Sequence, residues 1–210
     1  MRKQLAWSLR DDPGGELFEI SSSPWEKEHV IKFPQGATSD PPRPIEYLHE
    51  LMNAQMAEVV HPLFSTSYFA SETPAEVLDV VAPALRAAGD WFVNVRLMDL
   101  CQDDFRQEIQ EHVDLLLDSA QSRNALGEGA FLMMSAGFIL AQSIKYLGAP
   151  VRPQGDLAGV VDVFLACRTE RPSVYKLQNL ANNLLALYCP YRVRIAVDDG
   201  QDVWYVELEE

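Results

Sequence analysis

Basic side chains are scarce in this 210-residue sequence: 17 Lys and Arg stand against 31 Asp and Glu, a formal net charge of −14. A surface of that sign excludes general binding to nucleic acid or to an anionic membrane, both of which require positive potential. Cysteine is also rare. Cys101, Cys167 and Cys189 are widely spaced, contain no Cys-x-x-Cys pair and sit in apolar runs, the pattern of buried, reduced thiols in a cytoplasmic protein. No apolar run reaches the roughly 18 to 20 residues of a membrane span: the longest, 129–144, is interrupted by Ser135, Gly137, Gln142 and Ser143. The first ten residues are broken by Ser8 and Arg10 and do not read as a signal peptide. A Gly-rich phosphate loop, a Gly-x-Ser-x-Gly elbow and a locally supported Ser/His/Asp order are all missing.

What remains is a composition with 48% hydrophobic and 23% charged residues, enough to build a core without a metal, disulfide or cofactor. Period-two alternation marks both ends of the chain. Leu5, Trp7 and Leu9, a turn at Asp12-Pro13-Gly14-Gly15, and Phe18 with Ile20 predict an N-terminal β-hairpin, with a further strand at His29–Phe33. Tyr191, Val193, Ile195 and Val197, then Asp199-Gly200, then Val203–Val206 predict a second hairpin. Because an isolated hairpin is marginal, the two are expected to join in one small antiparallel sheet.

Between them the period becomes 3.6. Ile45, Leu48, Met52, Met56 and Val59 form one stripe, and Thr73-Pro74-Ala75-Glu76 reads as a capping box opening the next helix. Pro83 predicts a kink or break, and 90–100 is read as helix although its alternation also suits a strand. Residues 103–119 place Phe105, Ile109, Val113 and Leu116 on one face. Residues 127–147 are apolar nearly all round and read as a central helix; 156–168 and 173–187 complete the set. The expectation is one α+β domain over 1–210, with about six helices: strands in 1–33, a helical core in 44–187 and a hairpin in 191–208.

Three constellations bear on function. Glu46-x-x-His49 has the i, i+3 spacing of carboxylate-bridged di-iron bundles, and His49-Glu50-Leu51-Met52-Asn53 is a zincin pattern whose second His is Asn; both sets are incomplete as metal sites. Arg106 and His112, separated by five residues on one helix, resemble the Arg-x4–6-His motif of HEPN-type ribonucleases. That resemblance implies an Arg holding the scissile phosphate and a His in acid–base chemistry, making a helical ribonuclease or other hydrolase the alternative reading.

The third constellation is the charge. Basic and acidic residues number 6 against 7 in 1–43, 4 against 14 in 44–126 and 7 against 10 in 127–210. Asp104, Glu108, Glu111 and Asp118 follow one another along the 103–119 helix, with Asp114 on the flank. Like charges at i, i+4 oppose helix formation, a cost that interspersed Lys would avoid. With no complete catalytic set, this stripe implies a non-enzymatic cytoplasmic interaction protein, such as an inhibitor, an immunity-type protein or a subunit of a complex, facing a protein partner with a basic surface. Arg192 and Arg194 on one strand face add a local basic patch.

Overall fold

The computed structural model describes residues 2–35, 44–121 and 130–209. Five strands, β1 (Ser8–Gly15), β2 (Glu19–Ser23), β3 (Glu28–Pro34), β4 (Tyr191–Asp198) and β5 (Gln201–Leu208), flank six helices: α1 (Pro44–Val59), α2 (Ala75–Leu100), α3 (Gln102–Gln121), α4 (Ala130–Gln142), α5 (Asp156–Ala166) and α6 (Val174–Leu185). The α+β class is as expected. The single joined sheet is not: β1-β3-β2 form one sheet and β4-β5 another.

The N-terminal hairpin is also rearranged. β1 does not turn back onto β2 at Asp12–Gly15; those residues continue the strand, and β1 pairs in parallel with β3, shifting register between Asp12 and Gly15. The hairpin is formed by β2 and β3, which pair from Ser23↔Glu28 to Glu19↔Lys32. The physical reason lies in composition. β3 carries Ile31 and Phe33 into the core and takes the central position, whereas β1, with Asp11, Asp12 and Pro13, suits an edge. Ile20, Ile31 and Phe33 pack on Leu51 and Ala54 of α1.

The C-terminal hairpin forms as expected, with Asp199 and Gly200 both at positive φ (48° and 79°) in the two-residue turn. Val193 and Trp204 enter the main core, and the side-chain amide of Asn182 on α6 exchanges two hydrogen bonds with the backbone of Val193, at 2.8 and 2.9 Å. Arg192 and Arg194 are each paired across the strands, with Glu209 (3.1 Å) and Glu207 (3.2 Å), so the expected basic patch is neutralised. The segment between α1 and α2 links the two sheets: Ser22 donates its backbone N–H to Thr66 Oγ1, while Trp204 exchanges backbone hydrogen bonds with Tyr68 and Ala70.

The deepest helix is α2, which places Val81, Leu85, Trp91, Phe92, Val93 and Leu97 in the core. It runs unbroken through 90–100, as expected, and through Pro83, so that of the kink or break expected there the break does not occur. Pro83 removes one backbone donor, but buried Val81, Ala84 and Leu85 on either side supply the packing that holds the helix together. Nor does Thr73 cap: the N-cap is Pro74, without a side-chain hydrogen bond. The expected central helix contributes Met134, Leu140 and Ala141 from α4 yet exposes Phe131 at 60%.

α4 approaches α5 closely at Gly137, where an added Cβ would lie 2.4 Å from Val160 Cγ1. Gly137→Ala is therefore expected to destabilise the fold by about 2 kcal/mol despite alanine's better helix propensity. In urea denaturation, the penalty should shrink when Gly137→Ala is combined with Val160→Ala, which clears the contact; strict additivity would refute the steric account.

Candidate functional site

A cavity of about 890 Å³ lies among α1, α2, α3 and α4, with Leu17, Phe18 and Pro34 from the N-terminal sheet region at one side. Each helix brings polar groups to it. α1 supplies Glu46, His49 and Glu50; α2 supplies Asp79, Arg86, Asp90 and Asn94; α3 supplies Glu108 and His112; α4 supplies Ser135 and Gln142. Five carboxylates thus face one arginine and two histidines. The apolar wall includes Ile45, Leu97, Phe105, Ile109, Met134 and Phe138.

On its wall His49 holds Asp90 Oδ1 at 3.4 Å from Nε2 and Glu50 Oε1 at 3.5 Å from Nδ1, with Asn53 Nδ2 3.3 Å from Nδ1. Burial disfavours the imidazolium, but Asp90, Glu50 and Glu108 more than offset it and raise the His49 pKa to about 9. Burial likewise pushes the Asp90 carboxyl up, with Glu50 adding to the rise and His49 opposing it. Arg86, exposed, reaches outward to Glu19 at 3.5 Å.

Two other polar side chains are set apart. Asn94 and Gln142 are 3% and 4% exposed, line the cavity, and make no side-chain hydrogen bond to a described residue.

Two residues singled out as a metal pair, Glu46 and His49, do line this cavity together with His112 and Glu108. Among the described residues, however, no group of three or more His, Cys, Asp or Glu side chains is placed to hold a metal ion. Arg106 and His112 do not share a site: His112 lines the cavity, whereas Arg106 is exposed and does not. On α3, Asp104, Glu111 and Asp114 are exposed as the stripe requires, but Glu108 turns inward, and the side chain of Asp118 lies outside the described residues. Asp104, Glu111 and Asp114 form no ion pair with a described residue; Glu111 and Asp114 accept hydrogen bonds from Gln107 (3.0 Å) and Gln110 (2.8 Å).

Sequence reasoning missed Asp90, Asn94 and Gln142. Their signal was present: Asp90 and Asn94 stand at i, i+4 on either side of Trp91-Phe92-Val93, and Gln142 interrupts an apolar helix. It missed a second assembly as well. Ser22 Oγ lies 2.6 Å from His29 Nδ1, and His29 Nε2 lies 3.0 Å from Glu58 Oε1. The residue types are those of a nucleophilic triad, but Ser22 and His29 are both fully buried, with Trp7 stacked on the imidazole at 4.9 Å. No substrate can reach that hydroxyl. The assembly is structural: Glu58 also accepts backbone N–H groups of Ala6 and Trp7, each at 2.7 Å, and so ties the N-terminal segment and β3 to α1.

The three cysteines are free and half-buried, and burial raises each thiol pKa, which does not favour a nucleophilic role. No described helix is long and apolar enough to cross a membrane. No protein-family model matches the chain, and no curated protein and no solved structure matches it.

Proposed function

We propose that this chain works by binding: a cytoplasmic interaction protein, of inhibitor, immunity or complex-subunit type, whose acidic helical region engages a protein partner with a basic surface. The observation that carries this reading is the outer face of α3, where Asp104, Glu111 and Asp114 are exposed without a cationic partner among the described residues. Unneutralised carboxylates in a row repel one another, and a basic surface relieves that repulsion on docking. Such a face raises the association rate through long-range attraction, so binding should weaken as salt rises. A nuclease reading gains no comparable support, because Arg106 and His112 face different surroundings.

The test is charge reversal at the exposed positions. Asp104→Lys, Glu111→Lys and Asp114→Lys together should leave the fold intact and slow capture of the partner in pull-downs from the source cell by about tenfold or more. Glu108 is left unchanged, since it belongs to the cavity. If every co-purifying protein is retained at physiological salt, α3 is not the interface.

A further inference from the structure

We propose that the cavity among α1–α4 binds a small uncharged molecule, a carboxamide carried on an apolar body. The proposal concerns residues separate from the α3 outer face and stands or falls independently of it.

The wall disfavours an ionic occupant. The volume, about 890 Å³, lies within the range of small-molecule pockets, and most of the lining side chains are apolar, with Phe18, Phe105 and Phe138 offering ring surface. The charged groups are already engaged: His49 is shared between Asp90 and Glu50, Arg86 reaches outward to Glu19, and Glu46, Glu108 and His112 each have a partner. Asp79 is solvent-exposed. An ion entering this space sheds its hydration and finds no free counter-charge among the buried groups, a cost that an uncharged molecule escapes.

Asn94 and Gln142 then specify the polar group. Both are more than nine-tenths buried, both line the cavity, and neither makes a side-chain hydrogen bond to a described residue. Buried side-chain amides are nearly always hydrogen-bonded in native proteins, and an exception points to a water, an ion or a ligand at the site. Each of these side chains carries a carbonyl that accepts and an NH2 that donates. A carboxylate serves only the NH2 groups and an ammonium only the carbonyls. A carboxamide serves both, and its two N–H groups exceed the single O–H of an alcohol.

The backbone marks the same place. α4 ends at Gln142, and the chain continues in a π-helical turn, Ser143–Leu147. Such turns are rare and recur at functional sites. Binding requires no covalent step.

The probes are 2-phenylacetamide and cyclohexanecarboxamide, compared with anionic phenylacetate, cationic 2-phenylethylamine and neutral 2-phenylethanol, on the full chain near pH 7. At about 10 mM, a carboxamide of millimolar affinity should raise the Tm by about 3 °C, with the alcohol giving less than half that shift and the two ions none. Calorimetric titration of the responding carboxamide should fit one site, with an affinity that salt leaves unchanged because the ligand is uncharged. In the unmodified chain, the side-chain NH2 resonances of Asn94 and Gln142 should shift as the site fills, a readout that needs no variant. Asn94→Leu and Gln142→Met, apolar side chains of similar size, should each weaken carboxamide binding by about tenfold.

The α3 charge-reversal variant should retain the carboxamide response in full, which separates this site from the partner-binding face. The proposal is overturned if neither carboxamide shifts the Tm, or if phenylacetate, 2-phenylethylamine or 2-phenylethanol matches 2-phenylacetamide. It is equally overturned if the Asn94 and Gln142 NH2 resonances stay in place at saturation, or if both folded variants bind as the unmodified chain does; should a variant fail to fold, the resonances decide.

Discussion

Glu58→Ala is expected to lower the folding free energy by about 3 kcal/mol, measured by urea denaturation at neutral pH. The side chain is only 8% exposed, and its two oxygens accept three hydrogen bonds, from the backbone N–H groups of Ala6 and Trp7 and from His29 Nε2. In the neutral ring Nε2 carries the hydrogen, because a carboxylate only accepts, and Ser22 then donates to Nδ1. Truncation strands a fully buried imidazole nitrogen and frees the N-terminal segment from α1. Glu58→Gln should cost less: one amide oxygen can still serve Trp7 and His29, while the NH2 group confronts the Ala6 N–H. A Glu58→Ala variant within about 0.5 kcal/mol of the parent would refute this account of how the N-terminal sheet is attached.

The same residue predicts behaviour in acid. Burial alone would raise the Glu58 carboxyl, but the N–H donors of Ala6 and Trp7 and the His29 ring outweigh it, and the folded-state pKa is lowered. A carboxyl depressed by folding stabilises the native state above its unfolded pKa, near 4.5, and loses that contribution as pH falls through the folded value. The gap in stability between the parent and Glu58→Gln should therefore close on acidification.

The second large effect has the opposite sign. Folding raises the His49 pKa from 6.5 to about 9, so the folded state holds a proton that the unfolded chain releases. The resulting stabilisation is complete below about pH 6.5 and is lost as pH rises through about 9, amounting to about 3 kcal/mol across that window. The groups responsible come from three helices: Glu50 on α1, Asp90 on α2 and Glu108 on α3. NMR titration of the His49 ring should give a midpoint near 9, and Asp90→Asn should lower it. A midpoint at or below 6.5 in the parent would show that the carboxylates do not act on His49 as the geometry requires.

These two clusters also measure what could be read without a fold. Helix faces were legible because neighbours within one turn define them: Phe105 and Ile109 are in the core, and Ile45, Met52 and Met56 are buried, although Val59 at the end of the same stripe is 74% exposed. The C-terminal hairpin was legible because Asp199-Gly200 suits a two-residue turn whose central residues both need positive φ. The N-terminal pairing was not, since Asp12-Pro13-Gly14-Gly15 has turn chemistry and the decision depended on a competition for the sheet centre, which the more apolar β3 won. Part of the cavity was visible in the same way, whereas the Ser22, His29 and Glu58 assembly was not. His49 and Glu46 stood out by spacing along α1, but nothing local links them to Asp90 or Gln142.

The sequence by itself determined the helical faces, the acidic middle of the chain and the C-terminal turn, because periodicity, charge and turn propensity act over a few residues. Only the tertiary structure decided that β3 separates β1 from β2, that Glu108 turns inward while Asp104 and Glu111 stay out, and that Ser22, His29 and Glu58 meet. Those outcomes depend on which surfaces compete for burial across distant parts of the chain. A buried polar group is then held wherever partners from other elements can satisfy it, and local pattern carries no record of those partners.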